Sequence, residues 1–575
     1  MNSSATRLLF AAAAICLSWA APAQPRVIGQ VKNVAPSTIW VSPDGEHVLA
    51  VTVDPQTQKR RVNLDGKLLP GWYDAIAEGT PFFSADGKRH AFVGTRGTNC
   101  MVVVDGAEQP SYPLTTNRWP ITGLLFGSDG ARTHVAYQAT ENGKHYVVVN
   151  GQRLGGYDSI VSDSGPLPGI WDFHFVGSYF AYRAKKGERM VACRGRVEGD
   201  RVSLVESRHY VSIGAGSPVW MGGKTDKRNG DFFAFIAQDG PGKERILQLP
   251  GDTPITKKTW KFIARNTLRA SPANNGDMVY IAGDDKWQVF VGEKEWPACE
   301  TMGRLISSPS GQTWACTAKL DGKFVVMVNG LPGKAYAEIQ HGDSLFPAGD
   351  ERVVFAAATL GESRTPAHIV VDGKEGKAYA QAQGDSVLFS ADKKALAYIA
   401  GDGNRNFVAL NGVEGSAFDE VDDLRFSPAE SLLAYRARRG VKHFVVVGKK
   451  TFGPYGNVKP GSLVFSPDGK AVAWAAFGAD GNWFVYVDGA TIDAGCDRVV
   501  SQLTFSPGVS LPAYVGRFVS EGKASFALSY DGKLGREYGS IWMGDGGKLF
   551  VQEDGSIKYF AKSGSLLYRV VAKHD

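Results

Sequence analysis

An all-β chain assembled from small, repeated sheets is what the sequence predicts, and three observations predict it. Glycine accounts for 69 of 575 residues, well above the usual share of about 7%. The excess has no three-residue period, so it belongs to tight turns and not to a collagen-like helix. Short β-branched runs recur, among them Val102-Val103-Val104, Val147-Val148-Val149 and Val445-Val446-Val447. Above all, one four-part unit repeats from end to end at about forty residues.

The unit is clearest at Leu463-Val464-Phe465-Ser466-Pro467-Asp468-Gly469, then Ala471-Val472-Ala473-Trp474-Ala475, then Trp483-Phe484-Val485-Tyr486-Val487-Asp488-Gly489. The same parts stand at Leu388-Phe389-Ser390-Ala391-Asp392, Ala395-Leu396-Ala397-Tyr398 and Phe407-Val408-Ala409-Leu410-Asn411-Gly412. A fourth part follows, as in Tyr73-Asp74-Ala75-Ile76, Tyr157-Asp158-Ser159-Ile160 and Phe418-Asp419-Glu420-Val421. Each part has a physical reading. Runs that are apolar at consecutive positions fit strands covered on both faces. The small residues around Leu-Ala-Tyr let neighbouring sheets approach. Ser-Pro-Asp-Gly and Val-Asp-Gly are turn chemistry: Pro sets φ, Asp bonds nearby backbone, and Gly accepts positive φ. A β-sandwich supplies similar strands, but nothing in it demands recurrence at a fixed period. Four short strands per forty residues is the length of one β-propeller blade.

Landmark residues count the units: Trp40, Phe83, Phe126, Phe175, Val219, Ala270, Ile306, Phe346, Phe389, Phe426, Phe465, Phe505 and Trp542. That is about thirteen blades, with the stretch from Ser162 to Met302 the most degenerate. Propellers usually hold about four to eight blades, so the expectation is two tandem β-propellers of six or seven four-stranded blades each. The division falls near Met302, giving an N-terminal propeller over 24–302 and a C-terminal one over 303–575. Val27 to Val31 and Leu566 to Val571 are the terminal strands available for ring closure.

Residues 1–23 read as an export signal. Arg7 is followed by the apolar run Leu8 to Leu17 and by Ala21-Pro22-Ala23, a small-x-small cleavage site. Cys16 does not mark a lipoprotein, since Ile15 stands where a small residue is needed. Cleavage after Ala23 leaves no later apolar stretch of about 18 residues, so no membrane span is expected in the mature chain. Cys100, Cys193, Cys299, Cys316 and Cys496 remain, an odd and scattered set that does not suggest a disulfide framework, although Cys299 and Cys316 stand on neighbouring segments.

The Phe-Ser-Pro-Asp-Gly, Leu-Ala-Tyr and Val-Tyr-Val-Asp-Gly parts resemble the TolB-type, WD-repeat-like propeller blade of exported bacterial proteins, over nearly all of the mature chain and most clearly from Ile339 to Gly532. The resemblance implies a periplasmic or secreted binding platform. TolB's α/β domain has no counterpart before Trp40, and the Trp-Asp dipeptide of eukaryotic WD repeats occurs once, at Trp171-Asp172, so the resemblance implies the fold more than TolB's partner.

The formal charge of +6 is small for this length and gives nucleic-acid binding no support. No Gly-x-Ser-x-Gly elbow, HExxH, P-loop or Gly-x-Gly-x-x-Gly is found. Ser310-Gly311-Gln312-Thr313-Trp314 resembles the end of a sialidase turn, but lacks its Asp and does not recur. His174, His209, His341 and His368 are dispersed, with no ligand spacing linking them. No catalytic residue, cofactor or metal site is therefore assigned, and an enzyme is not the favoured reading. The strongest functional feature is geometric. In a propeller the turn between the second and third strands lies on the same face as the link between blades. There the C-terminal units carry Arg405, Arg436, Arg438, Arg439, Lys442, His443, Trp483 and Arg517. Cations beside an aromatic suit an acidic or glycan ligand. The function expected is a non-catalytic binding or scaffold module for protein, peptide or glycan. The alternative is an exported polysaccharide lyase or glycoside hydrolase with its site at the propeller axis. The oligomeric state has no sequence signal.

Overall fold

In the computed structural model the four runs of each unit form one antiparallel sheet, and the chain makes thirteen such sheets. Residues 25–573 are described, apart from 31–38, 115–118, 162–172, 215–217, 222–232, 257, 266, 271–277, 293, 341–344, 348–349, 360–366, 479–480, 493–495 and 545–546. The expected export signal over residues 1–23, Trp171-Asp172 and His341 lie outside the described residues. The sheets are numbered here as blades 1 to 13 in chain order, with strands A to D running from the hub outward. Blade 11 is representative: strand A is split into Asn457–Val458 and Val464–Phe465, followed by B (Val472–Phe477), C (Trp483–Val487) and D (Ala490–Thr491).

Three side-chain ties recur and explain the sequence motifs. At the A–B turn, the serine of Ser-x-Asp bonds both the aspartate and the backbone where strand B begins, as when Ser466 accepts from Ala471 N–H at 2.9 Å and donates to Asp468 at 2.6 Å. At the C–D turn, Asp-Gly or Asn-Gly takes positive φ at both residues (Asp65 at 50°, Gly66 at 82°), the type I′ geometry that matches strand twist. The same Asp65 carboxylate accepts from Val48 N–H, the first residue of strand B, at 2.9 Å. Asn329 does this for Trp314 and Asp372 for Val353. The third tie joins the link between blades to a B–C turn: Asp74 accepts from Gly97 N–H at 2.7 Å, Asp158 from Gly187 at 2.6 Å, and Asp419 from Gly440 at 2.6 Å. The Tyr-Asp-x-Ile motif is thus a junction device, and its aromatic (Tyr73, Tyr157, Phe418) is buried beside it.

The sheets are covered on both faces, as their unbroken apolar runs require. Thirteen apolar cores lie between neighbouring blades. One joins Ala473 and Val485 of blade 11 to Tyr514 of blade 12, and another joins Val279 and Val289 of blade 6 to Trp314 and Met327 of blade 7. The last, of Val48 and Ala50 with Phe560 and Leu567, joins blade 13 to blade 1. Blade 13 borrows its outer strand from the other end of the chain: Arg26–Gln30 pairs antiparallel with Leu566–Arg569. The terminal strands expected to close the circuit do so.

This succession corrects the expectation of two tandem propellers of six or seven blades. The β-propeller and its thirteen units stand, but the blades form one closed circuit. Met302, where two rings were to part, packs against the core shared by blades 6 and 7, and blades 7 and 8 share the next. The physical reason is that blade number depends on the angle between adjacent sheets, about 28° for thirteen blades against about 51–60° for seven or six. That angle follows from how side chains interdigitate across each core, which a linear repeat does not display. The five described cysteines are all buried free thiols, Cys299 and Cys316 included.

Two outcomes follow. Particles of the purified chain imaged by electron microscopy show one annulus of thirteen sheets, and paired rings would refute the single circuit. Asp65→Ala removes an acceptor from the buried Val48 amide and places alanine at positive φ, so it lowers unfolding free energy by about 1–3 kcal/mol, with Asp65→Asn losing less, as measured by denaturant titration.

Candidate functional site

The candidate binding face carries the B–C turns and the links between blades, and the Asp–Gly ties hold those two kinds of segment together. Blade 10 contributes most. Its strand B (Leu433–Arg439) and strand C (Lys442–Val447) meet at the turn Gly440-Val441. Val441 is 86% exposed, the most exposed large apolar side chain among the described residues, and Lys442 beside it is exposed too.

The cations on this hairpin divide into wall and rim. Arg436, with its side chain only 13% exposed, is wall. Its guanidinium bonds Asp422 at 2.8 and 2.5 Å and donates to Val458 O of blade 11 at 2.6 Å. Arg438 and Arg439 are rim. Arg438 pairs with Glu420 at 2.8 Å and donates to Gly440 O at 2.8 Å. Arg439 donates to Ala417 O at 2.9 Å and lies 5.0 Å over the Phe418 ring. His443 stands opposite Arg438 in the ladder. Burial, with Arg436 and Arg438 nearby, pushes its pKa below the ordinary imidazole value.

The remaining expected site residues occupy corresponding positions on other blades. Arg405 sits in the B–C turn of blade 9, 4.0 Å from Asp402. The Asp402 carboxylate caps Asn404 and Arg405 N–H groups, which lower its pKa. Trp483 opens strand C of blade 11, half-buried, with its ring 5.6 Å from Phe477 and its backbone bridged to Cys496. Arg517 lies in strand B of blade 12, opposite Arg498 and Phe526. Arg438, Arg439, Lys442 and His443 therefore share one hairpin end, Arg436 is drawn inward, and Arg405, Trp483 and Arg517 stand on separate blades of the same face.

Sequence reasoning missed a set of ties around the hub that resemble the Arg436 contact. Arg183 of blade 4, fully buried, donates to Ile213 O of blade 5 at 2.9 Å. Arg269 of blade 6 donates to Leu305 O of blade 7 at 2.5 Å. Lys459 of blade 11 donates to Val499 O and Ser501 O of blade 12 at 2.8 and 2.5 Å, and burial pushes its ammonium pKa down. All four cations cross from one blade to inner-strand carbonyls of the next. A signal existed: Ala181-Tyr182-Arg183-Ala184 and Ala434-Tyr435-Arg436-Ala437 are the same tetrapeptide, and each arginine reaches the last residue of the following Tyr-x-x-Ile/Val motif. An arginine inside an apolar strand-B run reads as an inter-blade tie.

Among the described residues no group of three or more His, Cys, Asp or Glu side chains is placed to hold a metal ion. His209 and His368 belong to blades 4 and 8, and the His368 imidazole is engaged at 3.0 Å with Gly376 O, so these two do not share a site. Two depressions lie elsewhere, on blades 2 to 4. One of about 590 Å³ is bounded by Arg96, Met101, Glu108 and Pro110, and one of about 390 Å³ by Arg89, Arg132, His134 and Asp200. Their arginines are engaged: Arg96 with Glu108 at 2.5 Å, and Arg89 with Asp105 at 2.8 Å. No described helix is long and apolar enough to cross a membrane.

No family model matches this chain, and no curated protein matches it. Among solved structures, TolB from Acinetobacter baumannii is similar over 52% of this chain and 79% of that chain, at 13% identity and a TM-score of 0.21.

The division between wall and rim is measurable. Arg436→Ala strands the Val458 carbonyl and the Asp422 carboxylate and costs about 1–3 kcal/mol of stability. Arg438→Ala breaks a solvent-facing pair and costs less than about 1 kcal/mol. Equal losses in denaturant titrations would contradict the assignment.

Proposed function

We propose that the chain is an exported, non-catalytic binding or scaffold module that holds a protein, peptide or glycan partner on the B–C face of blades 9 to 12. The observation that carries this reading is the end of the blade-10 hairpin, where Val441 stands 86% exposed between Arg439 and Lys442. An apolar side chain raised clear of a rigid sheet, with cations on either side, offers contact area and charge together at little ordering cost. Trp483 on the neighbouring blade adds a half-buried aromatic, a common element of recognition surfaces. Arg405 and Arg517 extend the charge to either side. Arg438 and Arg439 are held by intramolecular contacts, which fixes their direction but spends part of their charge.

Export rests on the sequence of residues 1–23, and a periplasmic or secreted location follows from it together with the TolB-type character of the repeat. Scaffolding suits a closed circuit, since rigid sheets bring many separate turns onto one surface.

The test is binding to arrays of peptides and of neutral and acidic glycans, using the mature chain. Removing the exposed apolar and cationic groups together (Val441→Ser, Arg438→Ala, Arg439→Ala, Lys442→Ala) weakens the recovered interaction at least tenfold, while thermal stability changes little. A partner bound equally well by this variant would place recognition elsewhere.

A further inference from the structure

The thirteen contacts between blades are not equal. Among the described residues, the core joining blade 13 to blade 1 contains four fully buried side chains, Val48, Ala50, Phe560 and Leu567. The next smallest, between blades 10 and 11, contains seven, and others contain up to twelve. Apolar burial holds neighbouring sheets together in proportion to area, and Ile28, Ile39, Val41 and Trp542 add only partly buried surface to this core.

It also differs in covalent connection. In every other blade, strand D continues from strand C through a turn. In blade 13, strand D is Arg26–Gln30, which no turn joins to strand C; it pairs with Leu566–Arg569 and Ile28 packs against the core shared with blade 1. That ladder has four register pairs with a shift between Val27 and Gly29, and it sets Arg26 directly opposite Arg569, a like-charge pairing that weakens a sheet.

Charge takes over where apolar area is small. Glu46 of blade 1 bonds both Lys558 and Arg569 of blade 13. Its side chain is 32% exposed, so salt screens the pairing. The closing strand then meets blade 1 backbone to backbone: a Cβ on Gly29 would lie 2.2 Å from Gly66 Cα, and Gly66 itself sits at φ +82°. A glycine pair of this kind permits close approach and adds no side-chain grip.

We propose that the circuit opens at this seam, by release of the N-terminal strand from blade 13 and separation of the Glu46 cluster, and that the opening gives lateral access to the hub. The other twelve contacts stay closed, because each has more fully buried apolar side chains and its outer strand is covalently continuous with its own blade. Glu46 with Lys558 and Arg569 is the latch, and Gly29 against Gly66 is the seat.

Hydrogen exchange by mass spectrometry on the full mature chain tests this. Amides of 26–30 and 566–569 exchange at least tenfold faster than those of the outer ladder of blade 10, where Lys450–Tyr455 pairs with His443–Val447. Raising salt to about 1 M or introducing Glu46→Gln speeds the seam a further tenfold and leaves blade 10 unchanged. A disulfide across the register pair, from Arg26→Cys with Arg569→Cys, abolishes the salt response. Spin labels at Lys67 and Lys573 report the opening as a second, longer distance population in high salt. Gly29→Val holds the seam open, with exchange in blades 6 to 8 matching wild type as the check on folding. Seam exchange no faster than blade 10, indifference to Glu46→Gln, or one unchanging label distance would each overturn the gate. Should Gly29→Val fail to fold, wild type and Glu46→Gln decide it.

Discussion

Every sheet in this molecule is apolar on both faces, and that single property dictates the rest. A two-faced sheet is stable only between two others. A finite row of them therefore has two unsatisfied ends, and the way to satisfy both is to bring the last sheet against the first. Blade 13 does this twice over, through the core it shares with blade 1 and through the outer strand it takes from the chain's N-terminus. Strands in such sheets need not alternate, which is why Val102-Val103-Val104 is buried at all three positions.

Polar chemistry in the blades serves the turns first. Strand-B amides beginning at Val48, Trp314 and Val353 would be left without partners where the A–B turn ends. The Asx side chain of a neighbouring C–D turn supplies the missing acceptor. The aspartates of Asp-Gly are therefore used twice, once for left-handed backbone and once as acceptors. The same economy governs the junctions, where Asp74, Asp158 and Asp419 bind the glycine N–H of a B–C turn. What remains for recognition is the small set of groups these ties do not consume.

Charge on the candidate face illustrates how far residue type can be read from a linear chain. Arg436, Arg438 and Arg439 stand within four positions and look equivalent. In the fold they differ sharply, because Arg436 lies deeper along the strand, while Arg438 and Arg439 stand at its end beside the hairpin turn, on opposite faces of the sheet. Arg436 points into the wall and serves Val458 O, while Arg438 and Arg439 reach solvent at the hairpin end. Arg183 shows the converse: it drew no notice in the sequence, yet it is among the largest fully buried side chains of the chain.

Local patterns by themselves determined the strands, the turns, the unit length, the thirteen landmarks and the pairing of the terminal segments. Each rests on contacts within one unit, or on the plain fact that a closed circuit joins first to last. Only the tertiary structure decided that the thirteen units form one circuit, which arginines are ties, and how unequally the buried side chains are shared among the cores. Those depend on the angle and buried area between separate sheets, and side chains nearly forty residues apart set both. No stretch of neighbouring residues encodes them.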